Sequence, residues 1–288
     1  MSRNLLVRTA VAAIFGPLII WIGYRGGWWL FGMVFLFATL GMLEFLRAER
    51  LRLSEAAFWL ALVAQVAVLT VTSVAGYGQT RFTPVEWYAS AGGLMMVAFF
   101  IISGMVLVTG GESAREMFWK HARLLWGVAY IGLLYPTVYL LGELEPSAPY
   151  TFSGGDCLLF LFGILWVGDT AAMGVGKWIG RHKLAPAVSP GKTIEGFLAG
   201  TAGALLVGLL MIFWRFQSLD WLHVLALAFG CSIFGQLGDL VESMWKRSLG
   251  LKDSSAIIPG HGGVLDRFDS LLFAAPFMFW YLNFVFLT

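Results

Sequence analysis

Hydrophobic and polar positions alternate along this chain in long blocks, and the blocks set the architecture. Read from one charged cluster to the next, the apolar runs are Thr9–Tyr24, Gly26–Leu43, Ala56 to about Gly76, Trp87 to about Thr109, Leu124–Leu141, Cys157–Gly176, Gly196–Phe213, Trp221–Val241 and Ser270–Thr288. Each run is close to the roughly 17 to 25 apolar residues that a helix needs to cross a bilayer. Only Tyr24-Arg25-Gly26 separates the first two, so they are expected to form a tight helical hairpin. The pattern predicts an all-α polytopic integral membrane protein with nine transmembrane helices.

The basic residues test this reading, because they gather on the cytoplasmic side of a membrane protein. With nine spans, sixteen of the 19 Lys and Arg fall on the face that carries the N-terminus, and only Arg25, Arg81 and Arg215 fall on the other. A missed or invented span would scramble that alternation. The expectation is a multi-pass protein of the inner (plasma) membrane, with its N-terminus cytoplasmic and its C-terminus outside. Trp28, Trp29, Trp87, Trp126, Trp214 and Trp221 lie near span ends, where an interfacial aromatic belt is expected. Composition agrees: 59% of residues are hydrophobic and 12% charged, and the mean hydropathy is +0.78. A net charge of +2 gives no reason to expect a nucleic-acid surface. Cys157 and Cys231 have no paired spacing and read as packing residues. Arg3 and Arg8 precede the first run, but the bulky Ile20-Trp21-Ile22 argues against signal-peptide cleavage, so the run is read as an uncleaved span.

Several charged residues lie where a membrane excludes charge. Asp169 falls inside the sixth run and Asp239 near the end of the eighth. A carboxylate at a span centre costs about 2.5–3.5 kcal/mol on insertion scales, so something must offset it. At helical spacing Asp239, Glu242, Ser243 and Lys246 share one face with Arg247 at its edge, an acidic turn followed by a basic one. Gly174, Gly176 and Gly180 would let a helix or a ligand come close to the helix of Asp169. In the loop 177–195, Gly191-Lys192-Thr193 is not a phosphate loop, since the first glycine of that motif would fall at Pro186. Ser189 and Pro190 resemble instead an N-cap and first helical residue, which would put Lys192 and Thr193 at an anion-favouring helix start. His121, His182 and His223 read as interfacial, whereas His261 lies in a glycine turn from which its ring can reach a ligand. No second His or Cys stands at zinc spacing, and the oxygen set Asp169, Asp239, Asp266 and Asp269 favours magnesium or another hard divalent cation.

The stretch Ser243–Asp269 concentrates both signs of charge: Ser243, Lys246-Arg247, Lys252-Asp253, Pro259-x-His261-Gly262-Gly263 and Asp266-Arg267-x-Asp269. These 27 positions resemble the C-terminal motif of the integral-membrane phosphatidate cytidylyltransferases, and Gly168-Asp169 and Ser189–Gly196 are similar to the family's other segments. Trp245 departs from it, standing where the family more often has an aliphatic residue or Phe, and is expected to matter little to the chemistry. The resemblance is strong over the last 130 or so residues. It suggests four N-terminal spans in 1–123 and a catalytic region in 124–288 with cytoplasmic loops 177–195 and 242–269.

The resemblance implies that CTP and phosphatidic acid, the latter drawn from the bilayer, give CDP-diacylglycerol and pyrophosphate, and that the protein is a homodimer. It implies Asp239, Asp266, Lys246 and His261 as catalytic residues. Ser189, Lys192, Thr193, Ser243, Arg247, Lys252, Asp253, Gly262, Gly263 and Arg267 would bind substrate, and Asp239, Asp266, Asp269 and Asp169 would hold the metal. Two alternatives stay open: another CTP-dependent lipid enzyme such as a polyprenol kinase, and an ion-coupled transporter using Asp169 and Asp239.

Overall fold

A computed structural model describes residues 3–52, 55–76, 84–108, 113–146, 148–255, 257 and 262–287. Over their described residues the predicted spans are helical, with Leu124–Leu141 divided between two helices. The helices are α1 (Arg3–Arg25), α2 (Gly27–Ala48), α3 (Ala56–Gly76), α4 (Pro84–Val108), α5 (Ala114–Gly132), α6 (Tyr135–Gly142), α7 (Gly154–Ile179), α8 (Ile194–Trp214), α9 (Trp221–Ser248) and α10 (Leu265–Leu282). Among the described residues seven helical stretches are long and apolar enough to cross a membrane, and Ala13–Arg25 and Ala91–Met105 are shorter apolar helices. The protein is a multi-pass membrane protein.

Helix ends extend past the apolar runs because charged residues serve as caps as well as boundaries. Ser113 and Glu116 form a capping box at the start of α5, and Ser153 and Asp156 form another at the start of α7. The predicted run Leu124–Leu141 is broken into α5 and α6. Pro136 explains the break: it has no N–H to offer the carbonyl of Gly132, and its ring crowds that carbonyl. The division suggested at 123/124 therefore falls inside α5.

Two further expectations are corrected. The segment read as a helix start is a short antiparallel hairpin, β1 (Lys183–Ala185) with β2 (Ser189–Thr193). Pro190 is compatible with a strand here because a two-stranded sheet is all edge. The N-cap of α8 is Thr193, whose hydroxyl accepts from the Gly196 N–H at 3.1 Å. Trp126 does not join the exposed belt of Trp28, Trp29, Trp214 and Trp221. It stacks on Tyr130, ring centroids 4.7 Å apart, and packs against Phe45.

The core is one continuous apolar interior. On α2 its face is written every fourth residue, Leu30, Val34, Ala38 and Met42, all buried. Cys157 and Cys231 are free thiols in that interior. At the other end of α2, Glu143 accepts the Gly27 N–H at 2.5 Å and fastens the α1–α2 turn. Burial pushes the Glu143 carboxyl above its ordinary range.

α7 and α8 pack closely through glycine. A Cβ on Gly196 would lie 2.7 Å from the carbonyl oxygen of Ala172, and one on Gly200 would lie 3.1 Å from that of Gly168. Gly176 and Gly180 face Thr193 in the same contact, whereas Gly174 faces open space. Helix packing therefore accounts for two of the three glycines that follow Asp169. Gly196→Val is expected to destabilise the protein by roughly 1–3 kcal/mol through overpacking, read as a lower melting temperature in detergent. Gly174→Ala should keep or raise it.

Candidate functional site

α9 carries the centre of the site. Its last three turns place Asp239, Glu242, Ser243 and Lys246 along one face, as their spacing predicts. The Ser243 hydroxyl donates to Asp239 Oδ1 at 3.2 Å. One turn on, the Lys246 ammonium lies 2.8 Å from Glu242 Oε2 and 2.6 Å from Asp266 Oδ1 on α10. Lys246 is 9% exposed and Glu242 is fully buried. A buried ion pair is stable only when good geometry and further hydrogen bonds offset desolvation. Here one cation answers two carboxylates, and Asp266 gains more partners still. Its Oδ2 accepts from the Ser254 N–H at 2.9 Å, the Ser254 hydroxyl at 3.0 Å and the Gly263 N–H at 2.8 Å.

Asp266 thereby gathers both ends of the segment between α9 and α10. Gly262 and Gly263 in that segment each have a steric reason. Gly262 has φ +87°, a left-handed conformation that a side chain disfavours. A Cβ on Gly263 would collide with the Ser254 hydroxyl and lie 2.8 Å from Glu44 Oε2. Pro259 and His261 lie outside the described residues.

A second group of residues forms a cleft of about 460 Å³ between α7, the hairpin, α8 and α9. Its polar wall includes Asp169, Ser189, Lys192, Thr193, Gln236 and Asp239, and its apolar wall includes Met173, Leu184 and Phe197. Lys192 reaches across from the hairpin to Asp239 Oδ2 at 2.5 Å. Gln236 is held inside the membrane region by Ser232 at 3.2 Å and Thr201 at 3.4 Å. The close approach of α9 and α10 at Gly238, whose Cβ would lie 2.5 Å from the Asp269 carbonyl oxygen, puts Asp269 beside the Asp239 turn. Asp269 Oδ1 accepts the Ser270 N–H at 2.6 Å.

The remaining residues of the motif are spread more widely. Arg247 donates to the carbonyls of Val188 at 3.3 Å and Leu251 at 2.8 Å, tying the hairpin to the end of α9. Lys252, Asp253 and Arg267 are exposed and do not line the cleft. His182, on the hairpin, lies 2.6 Å from Glu195. A larger cavity, about 670 Å³, lies between the end of α2 and the start of α5. Its Lys120 and Arg123 are paired with Glu55 at 3.1 Å and Glu49 at 2.7 Å, and Arg50 and Arg115 also line it.

Residues outside the motif also hold it. Glu44, 1% exposed on α2, accepts from the Ser254 hydroxyl at 3.3 Å, the Ser255 hydroxyl at 2.5 Å, and the N–H groups of Val264 at 2.8 Å and Leu265 at 3.0 Å. Five residues further on, Glu49 accepts the indole N–H of Trp245 at 3.0 Å, and Phe45 stacks on the same indole. Trp245 is therefore an anchor between the two parts of the chain. Sequence reasoning missed Glu44; the one available signal was an acid closing the apolar run Gly41-Met42-Leu43.

Among the described residues no three His, Cys, Asp or Glu side chains gather around a point where a metal ion could sit. The donor type still suits a hard cation: Asp169 and Asp239 both line the cleft, Asp269 lies beside the Asp239 turn, and the buried Glu242 Oε1 accepts no hydrogen bond among the described residues. Asp266 has both oxygens committed and is the least able of these acids to take a metal bond.

The two lysines should separate in their effects. Lys246→Met strands Glu242 and Asp266 and is expected to cost about 3–5 kcal/mol. Lys192→Ala removes a partly exposed pair and should cost no more than about 1 kcal/mol. Thermal melts of both variants in detergent test this, and equal losses would contradict it.

Comparison with known proteins places the chain. The Cytidylyltransferase family model matches residues 6–285. The chain is 33% identical over 274 residues to a phosphatidate cytidylyltransferase of Staphylococcus haemolyticus, a match covering 94% of this chain and 96% of that protein. It is 35% identical over 275 residues to that of Staphylococcus epidermidis, with the same two coverages. Over 186 residues it is 41% identical to that of Staphylococcus saprophyticus, covering 64% of this chain and 66% of that one. With a family match running almost end to end and relatives matched over nearly their whole length, this membrane protein belongs to the cytidylyltransferase family.

Proposed function

We propose that this protein is a phosphatidate cytidylyltransferase, which transfers CMP from CTP to phosphatidic acid and releases pyrophosphate. The observation that carries the proposal is the cleft. Lys192 meets Asp239 in its lining, Asp169 lines it too, and Met173, Leu184 and Phe197 add apolar surface. A phosphate on a lipid tail needs both surfaces at once. The relatives named phosphatidate cytidylyltransferase, matched over nearly their whole length, support the same activity.

In this reading an oxygen of the lipid phosphate bonds to the α-phosphorus of CTP, and the bond from that phosphorus to the oxygen bridging to the β-phosphorus breaks. The second pKa of a phosphate monoester is about 6, so the nucleophile is already largely ionised at neutral pH and needs no strong base. The barrier lies in bringing two anions together, so positioning and charge neutralisation do most of the work. Lys192 neutralises phosphate charge from the hairpin, and Ser189 and Thr193 line its approach. An arriving phosphate competes with Asp239 for Lys192 and frees that carboxylate. Arg267 and Lys252 add exposed positive charge for the triphosphate. His261 is assigned to orient the leaving pyrophosphate, and Ser243 to orient Asp239.

Magnesium, or another hard divalent cation, would be held by Asp239, Asp269 and Asp169; when bound it would supply Lewis-acid neutralisation of phosphate oxygens. The sixteen basic residues of one face support a cytoplasmic site and an inner-membrane location. A homodimer is proposed from the family resemblance.

Following radiolabel from CTP tests the chemistry. Label at the α-phosphate should appear in the lipid product in proteoliposomes containing phosphatidic acid. If label enters lipid only from the γ-phosphate, the protein is a kinase and the proposal fails. Asp239→Asn should reduce transfer below detection while the protein still elutes as folded material.

A further inference from the structure

We infer that Glu44 is a positioning residue for the transfer, setting the catalytic stretch from the N-terminal half of the chain. The inference rests on the proposed reading of the Asp239–Asp269 region as the site. It begins with an unmet need. The first turn of a helix leaves backbone N–H groups without partners inside the helix, and the N-cap of α10, Val264, offers no side-chain hydrogen bond of its own. Glu44 fills that role from α2, accepting the N–H groups of Val264 and Leu265, one on each oxygen. The positive end of the helix also favours a carboxylate there. The same two oxygens take the hydroxyls of Ser254 and Ser255.

The four donors bracket the motif. Ser254 and Ser255 follow Lys252-Asp253, and Val264 and Leu265 precede Asp266-Arg267. Ser254 is gripped twice, by Glu44 and by Asp266. Glu44 thus fixes where α10 begins, and with it the height of Asp266 against Lys246. Among the described residues its hydrogen-bond partners are those four neutral donors, with no cation. Replacement by Gln would turn an NH2 group toward one of the two fixed backbone N–H groups. A hydroxyl can rotate away from that conflict; a helical amide cannot.

The test uses the full-length protein in lipid–detergent micelles, comparing Glu44→Gln with Met42→Ala, a packing change at a buried residue of the same helix. Met42→Ala should lower the melting temperature but keep kcat per folded molecule near wild type. Glu44→Gln should lower kcat at least about tenfold, since small misplacements of catalytic groups are that costly. KM for CTP should stay within about threefold, because substrate contacts remain. If Glu44→Gln fails to fold, Ser255→Ala carries the test: it removes one donor, leaves both amides held, and should lower kcat about two- to fivefold at an unchanged melting temperature. A kcat within twofold of wild type for the variant that folds would overturn the inference. So would a kcat that falls only in proportion to stability, on the line set by Met42→Ala. Asp239→Asn, assayed in parallel, reports on the site reading separately, since its inactivity beside an active Glu44→Gln removes Glu44 alone.

Discussion

The buried ammonium of Lys246 is the contact on which the rest of the site's geometry depends. Removing that charge from water is expensive, and the structure offsets the cost with Glu242 one turn back on α9 and Asp266 on α10. Because one ammonium must reach both acids, α9 and α10 cannot slide past one another without stranding a charge. Asp266 passes the constraint on, since its second oxygen holds Ser254 and Gly263. In the described part of the segment between the two helices, two acids, Asp266 and Glu44, take the hydrogen bonds of Ser254, Ser255, Gly263 and Val264.

The second acid, Glu44, changes how the chain divides. On composition the N-terminal helices look like a hydrophobic platform and the C-terminal helices like the enzyme. The contacts make α2 part of the site's frame: Glu44 caps α10, and Glu49 and Phe45 hold Trp245 next to Lys246. A pairing this long in sequence can form only after α2 is in place against α9 and α10. The apolar face Leu30, Val34, Ala38 and Met42 is buried in the common core, while Phe37 and Gly41 of the same helix meet Phe268 and Leu265 of α10, which brings Glu44 and Glu49 to their partners.

The helices and the α9 face were legible because both rest on periodicity that the backbone itself imposes. Asp239, Glu242, Ser243 and Lys246 share a face at helical spacing whatever surrounds them. The hairpin was not legible: Ser-Pro at positions 189–190 suits a helix start as well as an edge strand, and only the pairing of Lys183 with Thr193 decides between them. The break before Pro136 was hidden by an unbroken apolar run, since hydropathy is blind to a missing N–H. Trp126 shows the same limit, because a tryptophan near a span end looks interfacial until its stacking on Tyr130 is seen. Glu44 was hidden most completely, as an acid at the end of a span is ordinarily held by water and headgroups, and its partners lie more than two hundred residues away.

The cleft explains why these constraints are worth their cost. A reaction between a soluble triphosphate and a lipid phosphate has to exclude neither water-borne nor membrane-borne substrate, so the site has to lie where α7, α8 and α9 leave the apolar region. There the polar residues Asp169, Lys192 and Asp239 meet the apolar Met173 and Phe197. The walls on both sides are set by close packing: Gly176 and Gly196 hold α7 against α8, and Gly238 holds α9 against α10. In the proposed reading, substrate charge is met between these helices by exchanging the Lys192–Asp239 ion pair for another.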